Sequence, residues 1–182
     1  MDVRAVRSRL RWRSTALCCA GALVCGYLVD AMAQDRGQER ATDLTDRVRQ
    51  VVLTSEPVTV TLQARAEFSS VFEAARRGEG VVALAVEGIA GTTSQPLRIN
   101  VFVNKVDVTR ATSVDDPHFL GFLYLIPRRG AVQPTGRGFD LTPVGPIDPA
   151  RLTVTLVPIA GKSAAPADAA LTVGQIYVRR ET

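Results

Sequence analysis

Beyond residue 33 this chain has no cysteine, no methionine and no tryptophan, since Cys18, Cys19, Cys25, Met1, Met32 and Trp12 all lie before that point. A protein that begins at residue 34 forms no disulfide and offers no soft sulfur ligand to a metal such as Cu(I). Histidine is almost missing as well: His118 is the only one. Any centre that needs several imidazoles is thereby excluded, and a Ser-His-acid constellation has just one place to form. No serine sits in a strand-turn-helix glycine elbow, and the turns Gly78-Glu79-Gly80 and Gly136-Arg137-Gly138 lack the lysine and spacing of a phosphate loop.

Long apolar runs are scarce too, and the one that exists sits at the start. Arg4, Arg7, Arg9, Arg11 and Arg13 precede an uncharged stretch over residues 15–29, and Ala31-Met32-Ala33 follows with small residues. This order of cationic, apolar and small-residue regions reads as a secretory signal over residues 1–33, cleaved before Gln34. The rival is an uncleaved anchor, but the run is shorter than the roughly 20 residues that span a bilayer. Export to the periplasm or the extracellular space follows, with no membrane association after cleavage. Removing residues 1–33 takes away five arginines and two aspartates from 22 basic and 18 acidic residues, leaving 17 against 16. A net charge of +1 gives no basic face for nucleic acid.

Residues 34–56 read as a linker followed by a short helix. The linker is polar and carries both signs of charge, and Leu44, Val48, Val51 and Val52 then mark a helical stripe over residues 43–53 behind Asp43 as cap. From residue 57 the period changes to two. Strands are predicted over residues 58–62, 81–86, 97–103, 119–126, 139–141, 152–157 and 171–178, with one helical turn or irregular crossing over residues 69–77. Glycine, proline, asparagine and aspartate separate them. About seven short strands without a long helix between them make an all-β, antiparallel sandwich over residues 57–182. In the strand over residues 97–103, Leu97, Ile99, Val101 and Val103 share one face and Arg98, Asn100 and Phe102 the other, which Phe102 marks as partly covered. The small-residue stretch over residues 160–170 is the loop expected to move most.

Four segments carry a resemblance. Val86-Glu87-Gly88-Ile89-Ala90-Gly91 leads to Leu97-Arg98-Ile99-Asn100-Val101-Phe102-Val103-Asn104, and Thr153-Val154-Thr155-Leu156-Val157-Pro158 and Leu171-Thr172-Val173-Gly174-Gln175-Ile176-Tyr177-Val178 follow. In their order and spacing they resemble the C-terminal domain of tyrosinases and polyphenol oxidases, here without the copper-binding catalytic domain that normally precedes it. The resemblance implies a jelly-roll-like sandwich. It also implies a domain that sits over the entrance of a type-3 copper site and projects a residue into it. Such a copper centre uses six histidines, and this chain has one. The resemblance therefore implies no enzyme and no cofactor of its own, but a secreted binding module that covers or stabilises a tyrosinase-like copper oxidase encoded separately. The alternative is a structural or adhesive envelope sandwich that binds an unrelated protein or a small ligand.

Two regions are singled out by their residues. His118 follows Asp115, Asp116 and Pro117, either as a weak metal site or as the corner of a loop entering a strand, and adjacent ligands seldom converge on one ion. Phe119, Leu120, Phe122 and Ile126 are the apolar candidates for contact with a partner, alternating with residues that fill the core, and Arg128 and Arg129 are the charged ones.

Overall fold

In the computed structural model, the described residues are 43–181 apart from 106, 145–146, 149–151 and 162–163. The expected leader and the first part of the linker lie outside the described residues. Eight strands are formed: β1 (Val48–Leu53), β2 (Val58–Leu62), β3 (Val81–Thr92), β4 (Leu97–Val103), β5 (Phe119–Leu125), β6 (Ala131–Asp140), β7 (Leu152–Ala160) and β8 (Ala170–Glu181). One helix, α1 (Phe68–Arg76), lies between β2 and β3. The strands pair antiparallel in two four-stranded sheets, ordered β1-β8-β3-β6 and β2-β7-β4-β5. Every connection except β4 to β5 changes sheet, which is the interleaving of a jelly roll. The all-β, jelly-roll-like sandwich read from the sequence is the fold observed.

The core lies between the sheets. Leu97, Ile99, Val101 and Val103 of β4 meet Val82, Leu84, Val86 and Ile89 of β3 and Leu171, Val173, Ile176 and Val178 of β8 in one apolar cluster. The other face of β4 carries Phe102 into a second, smaller cluster with Val157 and Ile159, onto which Val108 and Phe119 pack. The second face of that strand is therefore covered at Phe102, as expected. In α1, Phe68, Phe72 and Ala75 recur at helical spacing and are buried, the two rings stacking 5.8 Å apart.

Inward positions on β3 and β8 run even–odd out of step: Val86 is followed by Ile89, and Val173 by Ile176. Register explains this, because Gly88 of β3 lies beside Gly174 of β8, with a Cβ on Gly88 set to fall 3.2 Å from the Gly174 Cα. Gly88 has φ +68, and Gln50 of β1 has φ +55 in the same row of the sheet. One left-handed residue moves a strand's alternation by one place, so β1 and β3 turn their pleat together on either side of Gly174 in β8.

That row also overturns one expectation. Residues 43–53 do not form a helix; their second half is β1, the edge strand paired with β8. Gln50 in the left-handed region spaces the buried Val51 three places from Val48, and three is a helical interval. The β-branched valines then find their place in a ladder. Ahead of β1, Leu44 N–H donates to the Val178 carbonyl and Arg65 N–H to the Leu44 carbonyl, so residues 43–46 bridge the two sheets. The sandwich therefore takes in chain before residue 57. The strand expected over residues 139–141 is the end of the ten-residue β6.

Candidate functional site

The partner-contact candidates fall on β5, the free edge of the β2-β7-β4-β5 sheet, and on the turn that follows it. Between β4 and β5 the register shifts by one place: Val101 faces Gly121 while Phe102 faces Phe119. This bulge sends Leu120 into the main core and holds Phe119 against Phe102 with ring centroids 5.3 Å apart. Phe119 and Leu120 are thus committed to packing within the domain. Phe122 is half-buried and meets Tyr124 edge-on at 5.1 Å, an arrangement that suits two ring quadrupoles. Tyr124 is 63% exposed and Ile126 72% exposed, the two most exposed large apolar side chains among the described residues. Reading the sequence missed Tyr124; its alternation with Phe122 and Ile126 was the available signal.

Arg128 and Arg129 are both exposed. Arg128 and Ala131 exchange both backbone hydrogen bonds across Arg129 and Gly130, whose φ values are +54 and +81. This is a two-residue hairpin turn of the type that asparagine and glycine favour, and an arginine occupies the first central position. The neighbouring edge strand β6 closes the seam. Phe139 lies against Gly121, where a Cβ would fall 3.0 Å from the ring. Arg137 stacks over that ring at 5.2 Å and donates to the Phe122 carbonyl at 3.1 Å, so one edge group of β5 is already paired.

His118 sits at the corner where the loop enters β5. Its Nδ1 donates to the Val103 carbonyl at 2.9 Å, and its backbone N–H donates to Asp116 Oδ1 at 2.9 Å. Asp116 pairs with Lys105 Nζ at 2.8 Å. The Lys105 hydrogen bond, followed by the His118 N–H, holds the Asp116 carboxyl below its ordinary range. Asp115 accepts from the Ser113 hydroxyl at 3.3 Å. Among the described residues no group of three His, Cys, Asp or Glu side chains is placed to hold a metal ion.

Two open cavities flank the fold. One of about 510 Å³ is lined by Glu56, Pro57, Thr59 and residues 107–110, where Arg110 pairs with Glu56 at 3.0 Å and donates to the Ser55 carbonyl. The other, about 330 Å³, lies between Thr92, Thr93, Ser94, the Arg129 turn and Asp168. Asp168 accepts from the Ser94 N–H at 2.8 Å and stays ionised below its ordinary range because of the Ser94 hydroxyl and N–H.

Known structures place this arrangement. Latent apple tyrosinase superposes with a TM-score of 0.51 at 19% identity, over 73% of this chain and 27% of the tyrosinase. The fold is shared with part of a tyrosinase. The shared part lies outside the catalytic copper domain and is of the C-terminal-domain type. Recombinant latent aurone synthase, a polyphenol oxidase, is 21% identical over 78% of this chain and 28% of its own, with a TM-score of 0.48. Aurone synthase from its natural source is 20% identical over 77% and 28%, with a TM-score of 0.46. This chain spans about a quarter of the length of each. No family model matches the sequence, and no curated protein sequence does.

Proposed function

We propose that this sandwich is a non-enzymatic binding module that docks on a separate type-3 copper oxidase and covers or stabilises it. The observation that carries the reading is the match to the portion of a latent tyrosinase outside its copper domain. A cover needs an exposed apolar contact. Tyr124 and Ile126, with Phe122 behind them, supply one on an edge that no other strand among the described residues occupies. Export through the leader over residues 1–33 would bring the module to the compartment of a secreted oxidase.

The test adds the purified module to a tyrosinase catalytic domain that lacks its own C-terminal domain. Diphenol turnover falls, or the melting temperature of the enzyme rises, at micromolar module. A ligand that binds only the folded enzyme stabilises it by about 2.7 kcal/mol at a hundredfold excess over Kd. If neither quantity moves, the envelope-sandwich alternative replaces this reading. Intact mass of the secreted protein checks export, with a chain starting at Gln34 expected and a retained Cys18 counting against it.

A further inference from the structure

We propose that the β5–β6 edge is a docking surface for an acidic protein face, with Tyr124 and Ile126 as apolar anchors inside a ring of arginines. Where the partner is the oxidase proposed above, this rests on that reading; the surface itself rests on the edge. Arg98 stands opposite Tyr124 in the β4–β5 ladder, and its Nε is buried without a hydrogen-bond partner. Arg128 and Arg129 follow Ile126 within three residues, and Arg137 reaches the same strand at the Phe122 carbonyl. Among the described residues none of these four pairs with a carboxylate, whereas Arg47, Arg77, Arg110 and Arg179 each do; Arg49, Arg76 and Arg180 also lack one but are scattered over β1, α1 and β8.

With 17 basic and 16 acidic residues after residue 33, the module has almost no net charge, so four unpaired cations on one edge are a local excess. An exposed apolar pair rimmed by cations is the complement of an apolar site rimmed by carboxylates. The turn adds a second sign. Its first central position holds Arg129 at φ +54, where glycine or asparagine would relax the backbone, and strain kept at a surface position marks a side chain kept for contact. Edge protection by charge alone would be served as well by any cation placed without strain.

The probe is a fluorescent random copolymer of glutamate and tyrosine, with binding read by anisotropy at about 20 mM and about 300 mM NaCl. Wild-type protein binds and loses at least about tenfold in affinity between the two salts. Arg128→Glu with Arg129→Glu removes binding, and Tyr124→Ser with Ile126→Ser weakens it at both salts. Arg49→Glu with Arg180→Glu, on the β1–β8 side, leaves it within about twofold. Circular dichroism confirms that each variant is folded. No binding by wild type, or equal losses from both arginine pairs, overturns the proposal. Repeating the series with the tyrosinase catalytic domain separates the two ideas: copolymer binding that depends on Arg128 and Arg129, without any response of the oxidase, retains the surface and removes the oxidase as its occupant.

Discussion

The two sheets bury their inner faces alike and treat their outer faces in opposite ways. Outside β8 and β3, Asp43 holds Arg47 through two contacts of 2.7 and 3.2 Å, and the Arg47 guanidinium lies 4.2 Å over the Tyr177 ring. The Tyr177 hydroxyl reaches Glu87, which also accepts from Gln175 and Arg179. Charge there is spent inside the molecule. Outside β4 and β5 the counterparts are an apolar cluster, two exposed apolar side chains and arginines without carboxylates. Identical secondary structure thus carries two different outer faces: one pairs its charges within the domain, and the other exposes the apolar side chains and arginines on which the proposed docking rests.

The largest effect should come from the core both sheets share. Val101→Asp places an unpaired charge at a fully buried position of β4, costing several kcal/mol, enough to unfold a domain of ordinary stability; a soluble variant with unchanged melting would refute the register. Next, Asp43→Ala removes the carboxylate that holds Arg47, while Gln175 and the Tyr177 ring remain beside the guanidinium, and should cost about 1–3 kcal/mol by chemical denaturation. Tyr124→Ser, on the other outer face, should stay within about 0.5 kcal/mol. Equal costs would erase the contrast between the faces.

A titration sharpens it further. Burial, and then the Glu87 charge, push the Tyr177 phenol above its ordinary value of 10.0. The folded state therefore favours neutral Tyr177: its contribution is complete below about pH 10 and is lost as pH rises toward the folded value. Alkaline melting curves should show this loss, and Tyr177→Phe should flatten it. One modest effect is a gain. Arg129→Gly relaxes the left-handed turn residue and should raise stability by about 0.5–1 kcal/mol in thermal melts, while weakening acidic-probe binding. A loss of stability would mean that the Arg129 side chain holds the fold rather than serving contact.

Much of this was readable in advance because alternation survives wherever a strand keeps one pleat. β2 and β4 were predicted with their observed bounds, and β4 with the correct face for every residue. β1 was misread because Gln50 gave its valines a helical interval, and most of β6 was missed because Gln133, Pro134, Gly136 and Gly138 carry no strand signal. An edge strand exposed on both faces has no reason to alternate. Within the contact region, Phe119 and Leu120 could not be told from Phe122 and Ile126, since a bulge, invisible in composition, decides which of them turn inward.

The meeting of Gly88 and Gly174 changes how the sequence likeness should be weighed. Glu87-Gly88-Ile89 and Thr172-Val173-Gly174 stand more than eighty residues apart, yet they are two halves of one row, each glycine filling the space a side chain on the other would need. They are a single packing constraint counted twice. A side chain at either would need the other's backbone to give by a few tenths of an ångström, so in any comparison of sequences the two glycines report one packing requirement rather than two.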